Sequence, residues 1–244
     1  MCIRDRHLIQ GIPLGLQFSV LAIGIIVMQS VIVQFDTLGG EMVSNAAQNG
    51  FGAANKLNNL LMTPLNGLGA AMTSFTAQNL GAGDHARIKK GTVQALIIVW
   101  TMCLISIAAG LLLSRGGGYL YIFLSPDKVT AETMRYGNTY LYVDLSLYLF
   151  LGFIFVVRNC VQGIGKPQFV LGAGAAELAA RVSVCLLLPP LIAGGAVNSD
   201  APRAAVYALC FADPFAWMAA DAVLLVPFLR NIMKMDYRYL KGTM

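Results

Sequence analysis

Apolar runs alternate with short turn-rich polar segments along almost the whole chain. Six runs come near the roughly 20 residues that a helix needs to cross a bilayer. They cover about 12–35, 51–78, 92–113, 138–157, 168–193 and 204–229. The connecting segments, such as "FDTLGGE", "NLGAGDHARIKKG" and "RNCVQGIGKPQ", carry the glycines, prolines and most of the charges. The run at 51–78 is too polar to face lipid all round, and Pro64 inside it should kink the helix. The pattern predicts an all-α integral membrane fold of six transmembrane helices. A polar leader (1–8) fits nothing after it and reads as artefactual; a transmembrane unit (9–232) and a basic tail (233–244) follow.

Composition strengthens this expectation. Of 244 residues, 57% are hydrophobic and only 12% charged, with a mean hydropathy of +0.67. Soluble domains carry about 25% charged residues, so this chain lacks the charge to coat a water-facing surface. The net charge of +5 could indicate an anionic partner such as nucleic acid. The basic residues fall in loops rather than along one face, however, and membrane topology accounts for them better. With six spans both termini share one side. That side collects eleven Lys and Arg residues against four on the other. The positive-inside rule makes it cytoplasmic, with the chain in the plasma (inner) membrane.

Enzyme chemistry finds little purchase. HExxH, GxSxG and CxxC are absent, and the two histidines, His7 and His85, lie in polar segments. The five cysteines are scattered without metal-ligand spacing. The stretch Ala77–Gly91, "AQNLGAGDHARIKKG", resembles a phosphate cradle at first sight. It lacks the Gly-Lys-Ser/Thr of a Walker loop. Its glycines instead suit a tight reversal, with His85, Arg87, Lys89 and Lys90 at the anionic membrane surface.

Polar residues inside the runs are the candidate functional groups, because burying them in lipid is costly. At 100° per residue, Gln48, Asn55, Asn59, Asn66 and Thr73 fall within about 40° of one line. Such a stripe lines a wet cavity or bonds to a neighbouring helix, and Lys56 lies beside it. Asp144 and Tyr148 share a face, with Asp144 towards the outer end of its span, where solvation is cheap. Glu177 and Arg181 are spaced i,i+4 with the acid first, the favourable order for an ion pair. Asp213, Trp217 and Asp221 occupy one flank of the last run, where acids beside an indole suit an organic cation. Asp213 could equally pair with Lys56, and Pro214 should loosen the helix next to it.

Several segments, in order, carry a family resemblance: "GIPLGLQFSVLAIG", "PLNGLGAAMTSFTAQNLGAGDHARIKKG", "RNCVQGIGKPQFVLGAGAAELAARV" and "CFADPFAWMAADAVLLVPFLR". Together, over roughly residues 8–232, they resemble the C-terminal half of multidrug and toxic compound extrusion (MATE) transporters. The resemblance implies one six-helix lobe of a two-lobe transporter. It also implies export of small organic cations, driven by Na⁺ or H⁺ as coupling ion. The partner would be a missing N-terminal six-helix lobe, or a second chain. The family's acidic position on the fourth span falls about two turns beyond Asp144, near Leu151, where this sequence is apolar. Two other functions stay open: a lipid or lipid-linked oligosaccharide flippase of the same superfamily, and a non-transporting membrane assembly module.

Overall fold

The computed structural model describes residues 3–234; the rest of the tail, 235–244, lies outside the described residues. The chain is almost wholly helical. Helix α1 (Ile3–Gln34) leads to a short hairpin, β1 (Thr37–Leu38) paired with β2 (Glu41–Met42). Helices α2 (Ala46–Gly81), α3 (His85–Ser114) and the single turn α4 (Leu120–Phe123) follow. The chain then forms α5 (Ala131–Ser146), α6 (Tyr148–Gly163), α7 (Pro167–Ala193), α8 (Arg203–Cys210) and α9 (Ala212–Phe228), and ends in a π turn (Leu229–Met233). The polar leader from Ile3 onward continues as helix into the first apolar run.

Among the described residues, four segments are long and apolar enough to cross a membrane: Gly11–Gln34, His85–Gly117, Pro167–Ala193 and Arg203–Met233. A fifth appears if α5 and α6 are one bent span. At 36 residues α2 has the length but not the apolar composition.

Two places depart from the continuous runs expected from sequence. The stretch 138–157 is not one straight span: it breaks at Leu147 (φ −114°, ψ 16°), and α5 and α6 meet at 57°. No proline or glycine marks the break. The last span is interrupted at Phe211, and Pro214 falls in the first turn of α9, where its missing N–H costs nothing.

Helix α7 packs on α1 and α9, α2 packs on α3, α5 and α6, and α6 joins the two groups through α9. The core between them includes Leu57, Tyr140, Leu145, Val157, Leu209 and Leu224. Small residues set the closest approach, as in other membrane helix pairs. A Cβ on Gly137 of α5 would stand 2.8 Å from the Gly50 carbonyl oxygen of α2. Gly137→Val should therefore force α2 and α5 apart at a cost of about 3 kcal/mol, read as a lowered unfolding midpoint in detergent.

The loops hold the helices in register. Asp36 is buried, and its carboxylate accepts from the Ala47 (3.0 Å) and Gln48 (2.9 Å) amides, capping α2. The reversal after α2 places Gly83 at φ +73°, and Asp84 caps α3 by accepting from the Arg87 amide at 2.9 Å. The glycine-rich stretch is thus a helix–helix turn.

The exposed surface is of two kinds. Helix α3 presents Val93, Ile97, Leu104, Ile105 and Leu112, which belong in hydrocarbon. Helix α2 presents Lys56, Asn59, Thr63, Asn66, Ser74 and Gln78, a face that hydrocarbon would penalise and that requires water or protein against it.

Candidate functional site

The buried charges form a ladder across α6, α7 and α9. The Arg181 Nε donates to Asp213 Oδ1 at 2.8 Å, and its Nη2 to Glu177 Oε1 at 3.3 Å. The other Glu177 oxygen accepts from Arg158 Nη2 at 2.7 Å. The i,i+4 pair expected from sequence is thus present, but as the middle rung of a longer array. Tyr140 of α5 donates to Asp213 Oδ2 at 2.9 Å and accepts from Asn55 Nδ2 at 3.2 Å. Asn59 donates to Asn55 Oδ1 at 2.9 Å, so the array reaches the polar face of α2.

A second cluster lies beside the first. Asp144 is fully buried rather than near a solvated end, and it sits two residues before the end of α5, beside the bend. Its Oδ2 accepts from Asn58 Nδ2 at 2.8 Å. Three neighbouring oxygens, Asp144 Oδ1, Asn58 Oδ1 and the Tyr148 hydroxyl, are buried without a hydrogen-bond partner. Asp144 is in electrostatic reach of both Tyr148 and Asp213. Trp217 stands edge-on to Tyr148 with ring centroids 6.4 Å apart.

The other sequence candidates are dispersed. Asp221 is half-buried, with both carboxylate oxygens shielded from solvent and without hydrogen bonds, within electrostatic reach of Arg158 and Glu177. It is not grouped with Asp213, which faces Arg181. Lys56 is exposed on α2, so the pairing of Asp213 with Lys56 considered from sequence is not present. The α2 stripe divides. Asn59 and Asn66 are exposed, while Asn55 bonds Tyr140 and Thr73 bonds Asn159 Oδ1 at 2.8 Å. The Gln48 side chain donates to the Met42 sulfur, at 3.8 Å.

Three residues escaped the sequence reading. Arg158 reads as loop charge, since it lies at the end of an apolar run. Tyr140 carries no formal charge. Asn58 lies off the carboxamide stripe, and its partner is 86 residues away.

Apart from Asp36, which caps α2 from the loop, the interior holds four carboxylates (Asp144, Glu177, Asp213, Asp221) against two guanidiniums (Arg158, Arg181), a surplus of two. Of these four, Asp144 and Asp221 have no ion-pair partner among the described residues. An unpaired interior carboxylate is expensive, so each demands a cation or a proton.

Comparison with known proteins fits this architecture. The fold superposes with a TM-score of 0.70 on a MOP superfamily transporter from Pyrococcus furiosus Vc1 (DSM3638) at 14% identity, covering 92% of this chain and 44% of that one. The chain is 30% identical over 174 residues to the probable multidrug resistance protein YpnP of Bacillus subtilis (strain 168). That match takes in 66% of this chain and 33% of YpnP, so the chain spans about a third of the curated relative's length. The family model MatE matches residues 19–187, well over half of the sequence. The chain belongs to the MatE family and is a multi-pass membrane protein with the fold of a MOP superfamily transporter.

Proposed function

We propose that the chain is one six-span lobe of a Na⁺-coupled exporter of amphipathic organic cations, working by alternating access with a second lobe in the plasma membrane. In this reading α2 is the second span and the bent pair α5–α6 the fourth. The polar face of α2 borders the aqueous pathway, and both termini are cytoplasmic. Rocking against the partner lobe would alternately open that pathway to each side.

The observation that carries the reading is the group of orphaned oxygens around Asp144. One carboxylate oxygen, an amide carbonyl and a phenol hydroxyl without hydrogen-bond partners are hard ligands for a hard cation. Na⁺ here would neutralise one of the two surplus charges. An organic cation drawn to the same negative region would compete with it, and competition of this kind couples two fluxes by reciprocal linkage. H⁺ at Asp144 is the other coupling ion, and it leaves the Asn58 and Tyr148 oxygens without a role. A flippase for anionic cargo is less well supported, since both interior guanidiniums are bonded to carboxylates.

Because Trp217 packs on Tyr148, its emission reports on this site. Titrating the purified protein with NaCl at constant ionic strength, against KCl, should give a saturable change. Asp144→Asn should remove it, and Asn58→Ala should weaken apparent Na⁺ affinity about tenfold or more. A change driven by pH with no Na⁺ response would assign the site to H⁺. No response to either ion would defeat the coupling role of Asp144.

A further inference from the structure

The end of the molecule opposite the α2–α3 turn carries a small pocket between α5 and α8. The β hairpin and the loop before α8 meet there, where the Ser199 amide donates to the Thr37 carbonyl at 2.9 Å. The pocket encloses about 100 Å³ and is lined by Arg135, Tyr136, Thr139, Arg203, Val206 and Tyr207. That is too small for a drug-sized molecule, which fills about 300 Å³ or more. We propose that it holds the phosphate of an anionic phospholipid whose acyl chain runs down α8 and α9 into the groove between α7 and α9.

The lining selects an anion. Arg203, the first residue of α8, is exposed, and its guanidinium has no hydrogen-bond or ion-pair partner among the described residues. Arg135 is held in place by Glu132, which accepts from its Nη2 at 2.6 Å, and by the Tyr136 ring, whose centroid is 5.3 Å away. Asp36 also lies within electrostatic reach of Tyr136, but both its oxygens accept from the α2 amides, so that helix N-terminus meets its charge. Two guanidiniums therefore face one carboxylate in the pocket. Thr139 is only 8% exposed, and its hydroxyl makes no hydrogen bond among the described residues. A buried helical threonine normally returns its hydroxyl to the preceding turn, as Thr92 does to the Ile88 carbonyl. The Tyr207 hydroxyl is equally unengaged. Forked guanidiniums and hydroxyls converging from two helices match the oxygens of a phosphate.

Depth and shape make the source a lipid. Arg203 opens the apolar segment Arg203–Met233, and Arg135 and Tyr207 each stand four residues inside their helices, about 6 Å along the axis. That is the headgroup layer, where tyrosine is favoured. An apolar track leads away from it. Tyr207, Phe211 and Phe215 are exposed at successive turns. The Phe211 and Phe215 amides donate to the Tyr207 and Phe211 carbonyls, so the three residues form one line across the α8–α9 junction. The two phenylalanine rings are 6.0 Å apart. Phe215, about 12 Å below Tyr207, borders a groove of about 570 Å³ with Ser183, Val184, Leu187 and Met218. Exposed rings meet any lipid, and an anion pocket takes any phosphate; joined in one line, they fit a phosphate with a hydrocarbon tail.

Native mass spectrometry of the delipidated chain tests the assignment. Palmitoyl-oleoyl phosphatidylglycerol should be retained in preference to the phosphatidylcholine of the same chains, whose cationic headgroup the guanidiniums repel. Arg203→Glu should weaken phosphatidylglycerol about tenfold or more. Lys90→Glu, the same charge change at an exposed position at the opposite end, should leave it unchanged. Ser183→Trp, at an exposed position in the groove, should weaken it through the tail alone. The comparison of the two lipids needs no variant, so a poorly folding mutant does not block the test. Equal retention of both lipids, or equal losses in Arg203→Glu and Lys90→Glu, would overturn the site. Displacement by inorganic phosphate, with Ser183→Trp binding like the parent, would overturn the lipid and leave a site for free phosphate. Neither Asp144 nor Na⁺ enters these measurements, so their failure is distinct from failure of the ion site.

Discussion

Arg181→Met is expected to lower the unfolding midpoint sharply in mild detergent. Arg181 is buried and donates to both Asp213 and Glu177, which sit on different helices. Removing it leaves Asp213 without an ion-pair partner and Glu177 with Arg158 alone, and breaking a buried ion pair from one side costs about 3–5 kcal/mol. For a chain of this size that corresponds to a fall in unfolding midpoint on the order of 10 °C. Cys103, Cys160, Cys185 and Cys210 are buried free thiols, so a thiol-reactive fluorophore reads the transition directly. The double change Arg181→Met, Asp213→Asn should recover a large part of the loss, because Glu177 keeps its ion pair with Arg158 and position 213 no longer carries a charge. A single mutant that melts with the parent would mean that the ladder contributes nothing to stability.

What was legible in the sequence follows from what is local. The apolar spans at 12–35, 92–113, 168–193 and 204–229 stand out because lipid imposes a composition on every residue of a helix surface, and the structure has apolar helices there. Glu177 and Arg181 were readable as a pair because one helical turn links them. The bend at Leu147 was not, since "DLSLYLF" contains no helix breaker, and α5 and α6 each pack on α2, α3 and α9, which the local sequence does not show. Arg158 was assigned to a loop because charge at the end of an apolar run signals a membrane boundary; only the approach of Glu177 from α7 makes it an interior residue. Asn58 and Tyr140 acquire meaning solely through partners on other helices. Tertiary contacts therefore decided which polar residues cooperate, while periodicity decided only which could share a face.

The 244-residue chain reconstituted alone into proteoliposomes is expected to bind Na⁺ but to show no gradient-driven efflux of a fluorescent organic cation. Every oxygen proposed for Na⁺, on Asp144, Asn58 and Tyr148, comes from α2, α5 and α6 of this one lobe. Binding is thus self-contained. The proposed alternating access is not, because it would need a second surface against the exposed Asn59, Thr63 and Asn66 of α2 that can close on either side of the membrane. Supplying a second six-helix lobe, fused or co-expressed, should restore efflux, and Asp144→Asn in that assembly should abolish its dependence on the Na⁺ gradient. Efflux by the single chain, measured at a protein density too low for self-association, would contradict this division of labour. So would Na⁺ binding that appears only with the second lobe present. If the prediction holds, the energetic coupling resides in one lobe and the pathway between two, which assigns the interior charges to ion binding and the polar face of α2 to the moving interface.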